Sequence, residues 1–197
     1  LNRLDKDADD YFKKFLGQYK GKNYLRETNR KLAWYGLVFQ RPDIYKYYIS
    51  RVLLSGNNTL DEDKAATREA ESKQVPLTVL LKARLLSDGA YYEKALKILD
   101  TSDPKTLKFE DKLEFYYRKA RILDDMGQAS RSIVFYEWVI KYGVRTNSYF
   151  APNSCIKLGN YYEKINDKKS AALYYQKALT FMDHEYKNSI DAQAKAG

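Results

Sequence analysis

Small and bulky residues recur along this chain at the spacing that two antiparallel helices need in order to pack. In the run Cys155-Ile156-Lys157-Leu158-Gly159-Asn160-Tyr161-Tyr162, followed by Ala171, Tyr175 and Ala178, the side chains at Gly159 and Ala171 are absent or minimal. Two helix backbones can approach closely there, while Leu158, Tyr162 and Tyr175 fill the adjoining space. The arrangement repeats upstream. Lys82-Ala83-Arg84 and Lys119-Ala120-Arg121 are the same motif 37 residues apart, and Gly159 follows Ala120 by 39. Each small residue has a second-helix counterpart 12 residues on: Ala95 after Ala83, Ser132 after Ala120, Ala171 after Gly159. The pattern predicts helix, turn and helix, repeated, with Thr101-Ser102-Asp103-Pro104 and Gly143-Val144-Arg145-Thr146-Asn147 as turns between the hairpins.

A degenerate unit precedes these three. Leu32-Ala33 belong to its first helix, Tyr45, Ile49 and Val52 to its second, and Gln40-Arg41-Pro42-Asp43 to the turn. Tyr45 stands where a small residue is expected. The interval from Ala33 to Ala83 is 50 residues, and Ser55-Gly56-Asn57-Asn58 with a charged segment from Thr59 to Lys73 accounts for the excess. Thr59 and Glu62 have capping-box spacing, which predicts an added helix. That helix is polar nearly all round, with Leu60, Ala65, Ala66 and Ala70 as its apolar contacts, and is expected to be a surface embellishment. Before it all, Ala8, Phe12, Phe15 and Leu16 recur at helical spacing and predict the second helix of a still earlier unit.

The spacing of Cys155, Leu158-Gly159, Tyr162, Ala171, Tyr175 and Ala178 resembles the tetratricopeptide repeat pattern. The likeness is strong from 152 to 183, moderate from 76 to 144, where Lys82 and Lys119 occupy the slot that Leu158 fills in the last unit, and faint before that. Over nearly its full length the chain is similar to bacterial tetratricopeptide repeat proteins. The resemblance implies an all-α fold, a right-handed superhelix of stacked antiparallel helix hairpins forming one α-solenoid domain over 1–197. Its parts are the second helix of a partial repeat (1–23), a degenerate repeat (24–55), the extra charged helix (56–75), repeats at 76–108 and 109–147, the clearest repeat (148–183) and the start of a terminal helix (184–197). It also implies a non-enzymatic mediator of protein contacts. Leu1 is no initiator Met and neither end carries an evident polar cap, so the chain is expected to be a portion of a longer protein, with self-association open to its exposed repeat ends.

In such a superhelix the first helix of each hairpin lines a concave groove, and the residues flanking its small position point inward. Just after the small residues come Trp34, Arg84, Arg121 and Asn160; two before come Lys31, Leu81, Arg118 and Lys157; three before come Arg30, Leu80, Tyr117 and Ile156. Arg30, Lys31, Arg84, Arg118, Arg121 and Lys157 are cationic, and none of the set is acidic. Together with Trp34, Tyr117 and Asn160 they predict a groove that favours an acidic or carboxylate-terminated peptide. The competing reading is a basic face that merely meets solvent. Some relatives grip chaperone tails with a two-carboxylate clamp, of which Arg118, Arg121, Lys157 and Asn160 resemble a partial equivalent. Trp34 and Leu80 depart from it.

Charge keeps a rival class in play: 35 basic against 26 acidic residues give a net charge of +9, enough to attract phosphates. Acidic residues are interspersed throughout and no nucleic-acid motif is visible, so nucleic acid ranks behind a protein or peptide partner. A third reading is an assembly module that uses its convex face and ends. No apolar run nears the roughly 20 residues needed to cross a bilayer, which predicts a soluble array. One cysteine excludes an intrachain disulfide and a multi-cysteine zinc site, and Cys155 falls on the packing face as a buried thiol. His184 is the single histidine, and there is no phosphate loop, metal-ligand cluster or nucleophile elbow. The expectation is a protein without catalysis, cofactor or small-molecule substrate. The compartment stays open between the bacterial cytoplasm and the periplasm or cell envelope.

Overall fold

The computed structural model describes residues 1–197, and in it one kind of turn recurs after α-helices at four places. Each of these helices ends on a single residue in the left-handed region: Gln40 (φ 57°), Ala90 (62°), Gly127 (73°) and Asn166 (63°). The next backbone N–H then reaches back to a carbonyl of the last helical turn, Arg41 to Gly36 at 2.7 Å, Tyr91 to Leu86 at 2.8 Å, Gln128 to Leu123 at 2.8 Å and Asp167 to Tyr162 at 2.9 Å. This closure satisfies carbonyls that a helix end leaves orphaned and reverses the chain within a few residues. The left-handed residues lie at one constant distance beyond Ala33, Ala83, Ala120 and Gly159, all of which are buried. Their counterparts Tyr45, Ala95, Ser132 and Ala171 are buried as well.

The fold is all-helical and its residues group into two compact units, Leu1–Tyr91 and Tyr92–Gly197. The first holds α1 (Ala8–Gln18), α2 (Leu25–Val38), α3 (Pro42–Val52), α4 (Asp61–Ser72) and α5 (Thr78–Asp88). Helices α2 and α3 form its hairpin. Because Tyr45 is bulky, the close approach shifts along α2 to Gly36, where a Cβ would stand 2.6 Å from the Tyr45 backbone nitrogen and 2.8 Å from the Arg41 carbonyl oxygen. Only glycine fits without moving main chain.

Helix α4 is more than a surface embellishment. It packs on α2 and α3 and buries Asp63, Ala65, Ala66 and Thr67. The Thr59 and Glu62 capping box does not form, since Leu60 is the N-cap and no side chain caps the helix. Instead Asp63 serves the neighbouring helix. Tyr24 begins α2 in the left-handed region without a cap of its own, and the Asp63 carboxylate accepts from the N–H of Tyr24 (2.7 Å) and of Glu27 (3.1 Å). Thr67 accepts from Arg26 Nη1 at 2.8 Å. A charged segment thus closes the end of a helix about 40 residues away, supplying the anion that an N-terminus favours.

The second unit holds α6 (Tyr92–Leu99), α7 (Phe109–Asp125), α8 (Ala129–Tyr142), a 3-10 turn (Gly143–Arg145), α9 (Phe150–Lys164), α10 (Lys168–Leu179) and α11 (Lys187–Ala196). Helices α7 to α10 are two successive hairpins around Leu113, Tyr117, Tyr136, Val139, Leu158 and Tyr175. At Gly159 a Cβ would meet the Tyr175 ring at 2.4 Å, and that ring is held in place because its hydroxyl bonds Asn160 and Glu163, each at 2.8 Å. Asp167 caps α10 by accepting from the Ser170 N–H at 3.1 Å. Helix α11 lies on α9 and α10 and buries Ile190 and Ala194. Cys155 is buried, and burial pushes its thiol up to about 12. His184 uses Nδ1 on the Glu185 carbonyl at 2.7 Å. No helix is long and apolar enough to cross a membrane.

Candidate partner-binding surface

The residues that the sequence assigns to the groove do not share one environment. Arg30, Trp34, Tyr117 and Arg118 are buried at 5, 1, 1 and 5% exposure, whereas Lys31, Arg84, Arg121 and Lys157 are half-buried and Asn160 is exposed. The position three before each small residue is buried in every case, at Arg30, Leu80, Tyr117 and Ile156. That stripe faces protein. Solvent is left to Lys31, Arg84, Arg121, Lys157 and Asn160.

In the first unit the row converges on one indole. The charged groups of Arg30, Lys31 and Arg84 lie 4.5, 4.6 and 4.9 Å from the Trp34 ring centre. Its Nε1–H donates to Glu69 of α4 at 2.6 Å. Arg30 pairs with Glu27 at 2.5 Å and more loosely with Glu69 at 3.6 Å; Lys31 pairs with Glu27 at 3.5 Å and Arg84 with Asp88 at 3.8 Å. Three cations are therefore offset by three carboxylates. Burial, with Arg84 and Arg30 nearby, holds the Lys31 amine below its ordinary value against the pull of Glu27 and Asp88. Burial raises Glu69 above the usual carboxylate range, opposed by Arg30, the Trp34 hydrogen bond and Arg84.

In the second unit, Tyr117 donates its hydroxyl to Asn153 Oδ1 at 2.8 Å, which sets α7 beside α9. Arg118 gives Nε and Nη2 to Glu114 Oε1 at 3.0 and 2.9 Å. Arg121 pairs loosely with Asp125 at 3.9 Å, and its Nε is buried without an acceptor. Lys157, one turn beyond Asn153, has no carboxylate in ion-pair reach and no hydrogen-bond partner. Asn160 spends its oxygen on the Tyr175 hydroxyl, so its amide N–H groups face outward. The sequence-derived row missed the neutralising partners Glu27, Asp88, Glu114 and Asp125. Each sits three or four residues from its cation on the same helix, a spacing that was there to read.

The tetratricopeptide repeat family model matches residues 152–181, which are the body of the α9–α10 hairpin. No curated protein and no solved structure matches the chain. Proteins of this repeat class are generally non-catalytic interaction modules.

Proposed function

We propose, from the premise that this is a tetratricopeptide repeat protein, that it acts as a non-enzymatic scaffold and captures a carboxylate-bearing segment of a protein partner on the first-helix edge of its second unit. Arg121, Lys157 and Asn160 are the contact residues. One observation carries the reading: among the six predicted groove cations, Lys157 is the one with no counter-ion. A lysine fixed on a packed helix and lacking an internal partner favours a carboxylate arriving from outside. The register of the Tyr117–Asn153 bond supports a shared edge, because Arg121 and Lys157 each lie one turn beyond a member of that pair.

The test is capture of partner protein by the tagged chain from its own cells. Arg121→Glu with Lys157→Glu should lower the captured amount by about tenfold or more, while Lys168→Glu with Lys169→Glu, an equal charge change at exposed positions of α10, should leave it unchanged. Full capture by the first variant overturns the assignment.

A further inference from the structure

We infer that Trp34 Nε1, Arg30 and Arg84 form a carboxylate-recognition site in the first unit, which the chain fills with its own Glu69, so that an acidic protein segment binds there by displacing it. The inference rests on the scaffold reading above and adds a second point of contact under internal control. Its geometric basis is direct. A single carboxylate takes the indole N–H at 2.6 Å with Arg30 at 3.6 Å, and it comes from α4, the helix inserted between α3 and α5.

Three features make Glu69 displaceable. Asp63 and Thr67 tie α4 to α2 on the N-terminal side of Glu69, so the last turn can yield without breaking those bonds. That last turn carries Glu69 and Glu71 and no basic residue, which places negative charge at the negative end of the helix dipole. Beyond it Lys73, Gln74 and Val75 are exposed. The receiving side also holds donors in excess of what Glu69 uses. Arg30 Nε is buried without an acceptor, and Arg84 meets Asp88 only at 3.8 Å. Lys31 and Arg84 remain 25% and 29% exposed, leaving the mouth of the site open to an approaching anion.

A competitor inside the chain lowers apparent affinity by the fraction of time that it occupies the site. Fluorescein-labelled hexaglutamate, followed by anisotropy, is the probe. Glu69→Ala should bind it about tenfold more tightly than the wild type. Glu71→Ala makes the same change in net charge two residues away and should match the wild type within about twofold. Adding Arg84→Ala to Glu69→Ala should remove the gain. Glu69→Gln keeps an acceptor for Trp34 and should tighten binding in the same direction, which guards against a folding defect in the alanine variant. Each affinity is measured with Arg121→Glu and Lys157→Glu also present, so that the ratio reports the first unit alone. Equal binding by the wild type, Glu69→Ala and Glu69→Gln, or an equal gain from Glu71→Ala, overturns the internal competitor and leaves the scaffold reading standing. A probe that binds neither this set nor the chains with an intact second unit overturns both.

Discussion

The two units carry the same kind of first-helix row and finish it differently. Around Trp34 every cation has a carboxylate from the chain, one of them delivered by α4, whereas on the edge of α7 and α9 the row ends with Lys157 unmatched. Identical offsets from a small residue therefore do not define a binding surface. What packs over the row decides whether a cation is structural or available, since a buried charge must be paired and a half-exposed one need not be.

The hairpins differ in a parallel way, and substitution there has the largest expected effect. Gly36 faces backbone, at 2.6 and 2.8 Å from an added Cβ, while Gly159 faces an aromatic ring. Gly36→Ala should cost more than about 3 kcal/mol, because main chain cannot step aside, and Gly159→Ala should cost about 1–3 kcal/mol as Tyr175 tilts and strains its two hydroxyl bonds. Urea unfolding of both variants ranks them. The reverse order would mean that α2 and α3 are farther apart than described. Next comes Asp63→Ala, which strips acceptors from two backbone N–H groups and should cost about 2–3 kcal/mol, more than the loss from Asp167→Ala, whose carboxylate receives one. Equal losses would show that α4 does not cap α2.

The architecture was legible because it depends on local spacing. The intervals of Ala33, Ala83, Ala120 and Gly159 are those of the four left-handed turns, although Gln40, Ala90 and Asn166 are not glycine and gave little turn signal alone. The three offsets from each small residue pick out no acidic side chain, while Glu27, Asp88, Glu114 and Asp125 stand one helical turn from the cations. Glu69 was a different matter. It meets Trp34 across 35 residues of chain, through a helix whose polar composition suggested solvent, and no short-range pattern encodes that contact. The buried Asp63 was hidden by the same composition.

The pH dependence of the first unit should be smaller and has a definite sign. Burial raises the Glu69 acid above its unfolded value, so between the two values the folded chain holds a proton that the unfolded chain has released. The contribution of Glu69 to stability is therefore greatest below the ordinary glutamate range and is lost as pH rises through the raised value. One proton limits the slope to about 1.4 kcal/mol per pH unit. Unfolding of the wild type and Glu69→Gln from pH 4 upward should show curves that diverge in that window alone. Parallel curves would remove Glu69 from its buried setting.

The smallest expected effect isolates function from fold. Arg118 and Lys157 occupy the same position relative to Ala120 and Gly159, yet Arg118 is buried on Glu114 and Lys157 touches no carboxylate. Arg118→Met should cost about 1–3 kcal/mol by leaving Glu114 without its partner, whereas Lys157→Met should stay within about 0.5 kcal/mol of the wild type. A Lys157→Met loss comparable to that at Arg118 would mean that this lysine has a counter-ion in solution and is already engaged. A null effect on stability with a loss of captured partner would separate the two roles: a side chain that does nothing for the fold, on a helix that the fold holds rigid, retains its full charge for another molecule.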